Sequence, residues 1–197
     1  MSDAPPVRAA TKTWHPPVSL GKFAMWVFLG TEIMFFTALI GTYIVLRFSQ
    51  PYWPNPAEIL NIPLTAFNTF LLVCSSVTLV LGLNAIQDGN RQKFNLWWLA
   101  TIIFGAIFVG IQGVEYNQLI SEGFVPSTGI VPSTFYIMTC FHGLHVIAGV
   151  LINIWIFKRS LAGEFGPDNY AGPEVAGLYW HFVDLVWIIL FTLVYLF

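Results

Sequence analysis

Ionisable side chains stand inside stretches of this sequence that are otherwise apolar. They are Glu32 in "TEIMFF", Glu115 in "QGVEY", His142 and His145 in "FHGLHV", and His181 and Asp184 in "YWHFVD". A charged side chain at the centre of a membrane-spanning helix costs roughly 2.5 to 3.5 kcal/mol on insertion. Such residues therefore tend to face other helices, where they mark a pathway, a binding site or a packing contact.

These residue types allow three kinds of chemistry. Carboxylates and histidines on facing helices can hold metal ions, although here two histidines share one segment and a histidine pairs with an aspartate on another, unlike the usual Glu-x-x-His spacing of di-iron bundles. The same residue types can also pass protons. On physical grounds alone, the simplest interpretation is structural: they form hydrogen bonds between helices and bind no metal.

The segments that must position these residues are long and apolar. Hydrophobic residues make up 56% of the 197 residues, charged residues only 9%, and the mean hydropathy is +0.71. Five apolar stretches approach or exceed the roughly 20 residues that a membrane span requires, at 22–47, 63–87, 94–120, 133–157 and 175–197. The linkers are short and rich in proline and glycine. The sequence therefore predicts an all-α integral membrane bundle of five transmembrane helices, forming a single domain over 21–197.

The two ends of the chain are expected on opposite sides of the membrane. Residues 1–20 are polar and proline-rich without the pattern of a signal peptide, which predicts a disordered cytoplasmic tail. Of the eight Lys and Arg residues, only Arg47 falls on the side away from the N-terminus. By the positive-inside rule, the N-terminus is cytoplasmic and the C-terminus lies outside. The few scattered cations exclude a nucleic-acid partner.

Glu32 is expected to lie near the centre of the bilayer. It lies about eleven residues into the first stretch, or about 15 Å deep at the rise of an α-helix, and we expect it to face the bundle interior. Gly30, Thr37 and Gly41 are expected on the same side, as small residues that would let another helix approach. The two cysteines, Cys74 and Cys140, are expected to be buried as small hydrophobic residues.

The four motifs, in this order over nearly the whole chain from about Lys22 to Phe197, resemble subunit III of the haem-copper respiratory oxidases. On this resemblance, Glu32 matches the family's buried intramembrane carboxylate and Glu115 the glutamate of its Gln-x-x-Glu-Tyr pattern. The remaining four match its paired histidines and its Trp-His-Phe-x-Asp signature: His142, His145, His181 and Asp184. None of these residues binds haem or copper in the family. The resemblance thus implies no catalytic, cofactor-binding or metal-binding residue in this chain.

The resemblance also implies a function. The chain would be a non-catalytic subunit of cytochrome c oxidase, a proton-pumping terminal oxidase of aerobic respiration, and a multi-pass protein of the bacterial plasma (inner) membrane. It would pack directly against subunit I, keep proton uptake fast and protect that subunit from inactivation. Haem and copper would be held by partner subunits, with subunit II and small subunits in the same complex. Membrane lipids are further partners, and phospholipid is a candidate ligand.

Two details qualify this resemblance. Longer family members have seven helices with a lipid-filled cleft after the second, and this chain begins at the third. "TEIMFF" carries Glu32 where the related subunit of bo-type quinol oxidases tends to carry aspartate, which favours a cytochrome c oxidase. The alternatives are subunit III of a bo-type quinol oxidase and, from another class, a stand-alone membrane transporter or metalloenzyme.

Overall fold

The computed structural model describes residues 19–197. Residues 1–18 of the expected tail lie outside the described residues. The described part is almost entirely helical and contains no β-strand beyond one isolated bridge. Its five long helices are all long and apolar enough to cross a membrane: α1 (Leu20–Ser49), α3 (Ile62–Gln87), α4 (Arg91–Ser121), α5 (Ile130–Leu161) and α6 (Ala171–Phe191). The predicted all-α architecture with five spanning helices is confirmed.

Shorter turns complete the chain between and after these helices. The first loop contains a four-residue helix, α2 (Pro56–Ile59), a 3₁₀ turn occupies Pro126–Thr128, and a π-helical turn continues α6 over Thr192–Leu196. The long helices mostly extend past the predicted apolar stretches, and polar side chains cap the N-termini of three of them, α1, α3 and α4. The side chain of Asn90, for example, accepts a hydrogen bond from the backbone of Lys93 and so begins α4.

Four of the helices form a ring. In chain order α3, α4, α5 and α6 pack each against the next, and α6 returns to α3. Helix α1 packs outside this ring, along the seam between α5 and α6. It is the least buried of the five, with 11% of its most apolar window buried, against 56% for the last helix. The four-helix ring is therefore the core, and α1 is attached to it.

Trp180 of α6 locks the ring together. Its indole nitrogen donates a hydrogen bond to Ser75 Oγ of α3 at 2.9 Å. The indole ring of Trp180 lies so close to Gly105 of α4 and Gly149 of α5 that a Cβ at these positions would stand 2.6 and 2.7 Å from the indole. Both glycines are thus required by the close approach of this side chain, which touches all three other helices of the ring.

The outer face of α1 corrects one sequence-based expectation. Gly30, Thr37 and Gly41 are exposed, and a Cβ added at either glycine would meet nothing within 4 Å. They share one face of the helix, but Glu32 is turned the other way, towards α5. The prediction that they lie beside Glu32 was wrong because residues two, five and nine positions away fall roughly half a turn around the helix.

The expected burial of the cysteines was also wrong. Cys140 is exposed and Cys74 is only half-buried. In a membrane protein the apolar surface faces lipid, so an apolar run does not distinguish the core from the outer face.

Candidate functional site

Glu32 and His145 form an ion-pair contact between α1 and α5. Glu32 Oε2 lies 3.1 Å from His145 Nε2, and His145 Nδ1 lies 2.7 Å from the backbone oxygen of Phe141. Because a carbonyl oxygen can only accept, Nδ1 must carry a hydrogen and donate it. The Nε2–Oε2 contact then requires one further proton, held either by the imidazole or by the carboxyl group. In both arrangements the pair has no net charge, and its proton can pass between the two partners.

Aromatic rings surround this pair. The side chains of Glu32 and His145 are only 17% and 18% exposed. The rings of Phe35 and Phe36 pack against the imidazole, with centroids 6.3 and 5.1 Å away. The hydroxyl of Tyr179 donates to the backbone oxygen of His145 at 3.0 Å. The surroundings of the pair are therefore apolar. A hydrogen bond between ionisable groups is stronger in such surroundings than in water.

His142 lies in a different place from His145, although the two are only three residues apart. It is fully buried inside the ring, where its Nε2 donates to the backbone oxygen of Val183 on α6 at 3.1 Å. Its imidazole stacks on Trp187 with a centroid distance of 4.7 Å. Its Nδ1 has no hydrogen-bond partner among the described residues. The two histidines of α5 thus have different partners: the imidazole of His142 bonds α6, and the imidazole of His145 bonds α1.

Glu115, on α4, links α3 and the π-helical turn that follows α6. Thr65 of α3 donates to its Oε1 at 3.1 Å, and Tyr195 of the π-helical turn donates to its Oε2 at 3.2 Å. One turn earlier, Gln112 donates to the hydroxyl of Tyr116 at 3.1 Å. Sequence reasoning missed Thr65 and Tyr195 because neither stands near Glu115 in the chain, and no spacing rule links residues 50 or 80 positions apart.

Asp184 joins α6 to α3. Ser76 Oγ donates to its Oδ2 at 2.6 Å, while its Oδ1 is buried without a partner among the described residues. His181, one helical turn before Asp184, is half-buried. No hydrogen bond joins its ring nitrogens to another described residue.

The six predicted residues therefore occupy four separate places. Within residues 19–197, no three His, Cys, Asp or Glu side chains converge as a metal site would require. Five of the six hydrogen-bond a side chain or backbone group of another helix, and the exception is His181. The arrangement can thus link helices at several depths, and the Glu32–His145 pair can in addition exchange a proton.

Loss of the Ser76 hydroxyl is expected to destabilise the bundle. Ser76→Ala leaves the buried Asp184 carboxyl without the one donor that the described residues give it, which costs about 1 to 3 kcal/mol. The temperature at which the chain unfolds in native membranes or detergent should fall. Ser121→Ala removes an exposed hydroxyl that bonds only the backbone of its own helix, and it is expected to have no effect. Equal stability of the two variants would contradict a structural role for the Ser76–Asp184 bond.

Residues 12–197 match the family model described as cytochrome c oxidase subunit III. The chain is 39% identical over 170 residues to a probable cytochrome c oxidase subunit 3 of Nocardia farcinica, covering 86% of this chain and 84% of the relative. It is 36% identical over 195 residues to cytochrome c oxidase subunit 3 of Corynebacterium diphtheriae, covering 98% and 94%. The subunit 3 of Bacillus sp. strain PS3 is 36% identical over 173 residues, covering 87% and 83%.

Proposed function

Because the chain belongs to the cytochrome c oxidase subunit III family, we propose that it is a non-catalytic membrane subunit of a cytochrome c oxidase. The match over residues 12–197 carries this proposal, since it includes all five spanning helices of the described part of the chain. The complex reduces oxygen to water and moves protons outward. Haem and copper are held by partner subunits, and this chain packs against subunit I in the bacterial plasma membrane.

The hydrogen bonds of the predicted residues support a stabilising role for the chain. These bonds join one helix to another, with the donors and the acceptors both supplied by the protein. The polar side chains therefore hold the helices together. The Glu32–His145 pair, which holds one proton near mid-membrane, is suited to supporting proton uptake by subunit I. Cytochrome c is the proposed electron donor, since the relatives are named cytochrome c oxidase subunits and Glu32 stands where quinol-type subunits tend to carry aspartate.

Purification of a tagged chain from its native membrane tests the proposal. The chain should co-purify with haem-bearing subunits, and the chain stripped from them should contain neither haem nor copper. A complex lacking it should keep its haem spectra and lose activity faster during sustained turnover. A chain that purifies without any haem-bearing partner, or that binds a stoichiometric metal by itself, would contradict the proposal.

The distribution of charges at the two ends of the bundle supports a cytoplasmic N-terminus. Lys22 pairs with Glu174 at 2.5 Å, and Arg91 donates to the backbone oxygen of Gly163, which puts the start of α1, the α3–α4 turn and the α5–α6 loop at one end. Arg47 lies at the other end, where it donates to the hydroxyl of Tyr43 at 2.9 Å. The end with more Lys and Arg is the cytoplasmic one.

Cysteine labelling in intact cells tests this orientation. In a background with Cys74 and Cys140 replaced by alanine, Asp88→Cys in the α3–α4 turn should resist a membrane-impermeant thiol reagent. Glu58→Cys, exposed in α2 at the other end, should react. Both should react after the membrane is permeabilised. Labelling of Asp88→Cys but not of Glu58→Cys in intact cells would reverse the orientation.

A further inference from the structure

One outward-facing strip of α6 carries a polar group at mid-membrane depth. His181 begins a helical face that continues through Leu185 and Ile188, which are 58% and 42% exposed. These positions, four and three residues apart, lie one above another on the helix. We call His181, Leu185 and Ile188 the His181 face. Counted from Ala171, His181 is ten residues into a continuous helical span that ends at Leu196, or about 15 Å deep.

The neighbouring helices leave the His181 face open. Helix α6 packs on α3, α5 and α1. Its successive residues Phe182, Val183 and Asp184, each about 100° further around the helix, contact α1, α5 and α3 in that order, so α5 lies between the other two. On one side of the face, Ser76 of α3 binds Asp184, and on the other, Phe36 of α1 packs against Phe182 with ring centroids 6.3 Å apart. The His181 face thus forms the bottom of a surface groove between α1 and α3. Val73 and Val80, one turn on either side of Ser76, extend its apolar wall and are 37% and 43% exposed.

The chemistry of His181 does not suit contact with lipid. A neutral imidazole has one donor and one acceptor, and neither ring nitrogen of His181 bonds another described residue. Hydrocarbon offers no hydrogen bond, and the side chain is too short to reach the interface from mid-membrane. The nearby Asp184 does not supply the bond, since its Oδ2 accepts from Ser76 and its Oδ1 is enclosed. A polar group so placed needs a hydrogen-bond partner that the described residues 19–197 do not supply.

We propose that the His181 face receives a transmembrane helix from another subunit of the oxidase, and that this helix offers a hydroxyl, amide or carboxyl side chain to the His181 imidazole. The proposal rests on the proposed function, which supplies such helices as neighbours. Apolar side chains of that helix lie against Leu185, Ile188 and the valines of α3. Packing together with one hydrogen bond is the usual way in which helices associate in a membrane.

Photo-crosslinking in the intact complex tests this docking site. A benzophenone-bearing amino acid at position 185, in the complex in native membranes, should form an adduct with one transmembrane segment of a partner subunit, identified by mass spectrometry. The same probe at position 151, on the exposed side of α5, is the control, because Leu151 is similarly exposed at 61%. It should not label that segment.

Substitution of His181 tests the hydrogen bond separately. His181→Leu should weaken the association of the chain with the haem-bearing subunits in detergent by about three- to eighteenfold, the range expected for one interhelical bond, measured as the ratio of retained to released chain. His181→Gln keeps a donor and an acceptor and should be retained like the wild type. Equal retention of the leucine variant would overturn the hydrogen bond to a partner.

Three outcomes of the crosslinking are decisive against the docking site. An adduct only with lipid, an adduct with a second copy of this chain, or labelling of the same segment from position 151 would overturn it while the chain still purifies with haem-bearing subunits. Absence of those subunits would overturn the proposed function itself.

Discussion

Gly105→Ala is expected to prevent much of the chain from assembling stably. The new methyl group would stand 2.6 Å from the ring of Trp180 and 2.9 Å from a methyl of Val150, which is closer than such atoms pack. Trp180 cannot simply turn away, because its indole nitrogen bonds Ser75 in the buried core. Overpacking of this kind costs about 1 to 3 kcal/mol, and loss of the indole hydrogen bond adds to it. The yield of chain in the purified complex, and the temperature at which it dissociates, should both fall.

Two comparisons separate this clash from a general effect of the substitution. Gly110→Ala lies on the same helix, where an added Cβ meets nothing within 4 Å, so it should be neutral or slightly stabilising. Gly149→Ala, on the opposite side of the indole, should behave like Gly105→Ala because its Cβ would stand 2.7 Å from the ring. Trp180→Phe shortens the ring and should partly rescue both. Equal behaviour of the three glycine variants would show that the indole contact does not determine the packing.

Glu32→Lys is expected to have the second large effect. The native Glu32–His145 pair has no net charge, whereas a lysine there places a cation near mid-membrane without an anionic partner. Insertion of such a charge costs roughly 2.5 to 3.5 kcal/mol, about a hundredfold in an equilibrium. Little of the variant should be found in the assembled complex. Glu58→Lys makes the same change of charge in the exposed helix α2, outside the spans, and should assemble normally.

Glu32→Gln is expected to separate packing from proton transfer. With His145 Nδ1 donating to Phe141, its Nε2 is free to accept a hydrogen bond from the glutamine amide, so α1 stays attached to α5. The variant can no longer pass a proton to His145. Haem spectra and subunit content should match the wild type, while oxygen consumption over many turnovers should be slower or decline sooner. Loss of haem signal before any turnover would show that Glu32 supports a cofactor site instead.

The sequence by itself determined the five spanning helices and the family. Whether a segment spans a membrane depends mainly on its own length and apolarity, so the five helices could be predicted from local composition. The polar residues inside the spans were visible for the same reason, as exceptions in apolar runs. Their order along the chain identified the family, which the match over residues 12–197 confirmed.

Only the tertiary structure decided which polar groups meet. Glu32 and His145 are separated by 113 positions, and Glu115 and Tyr195 by 80. A sequence gives the angle of each side chain about its own helix but not how neighbouring helices are rotated and paired. The sequence therefore could not predict which face of α1 is exposed or that the two histidines bond different helices. It also could not predict the close approach of Trp180 to Gly105 and Gly149. In a membrane both lipid and core are apolar, so hydrophobicity does not distinguish the buried face from the outer one.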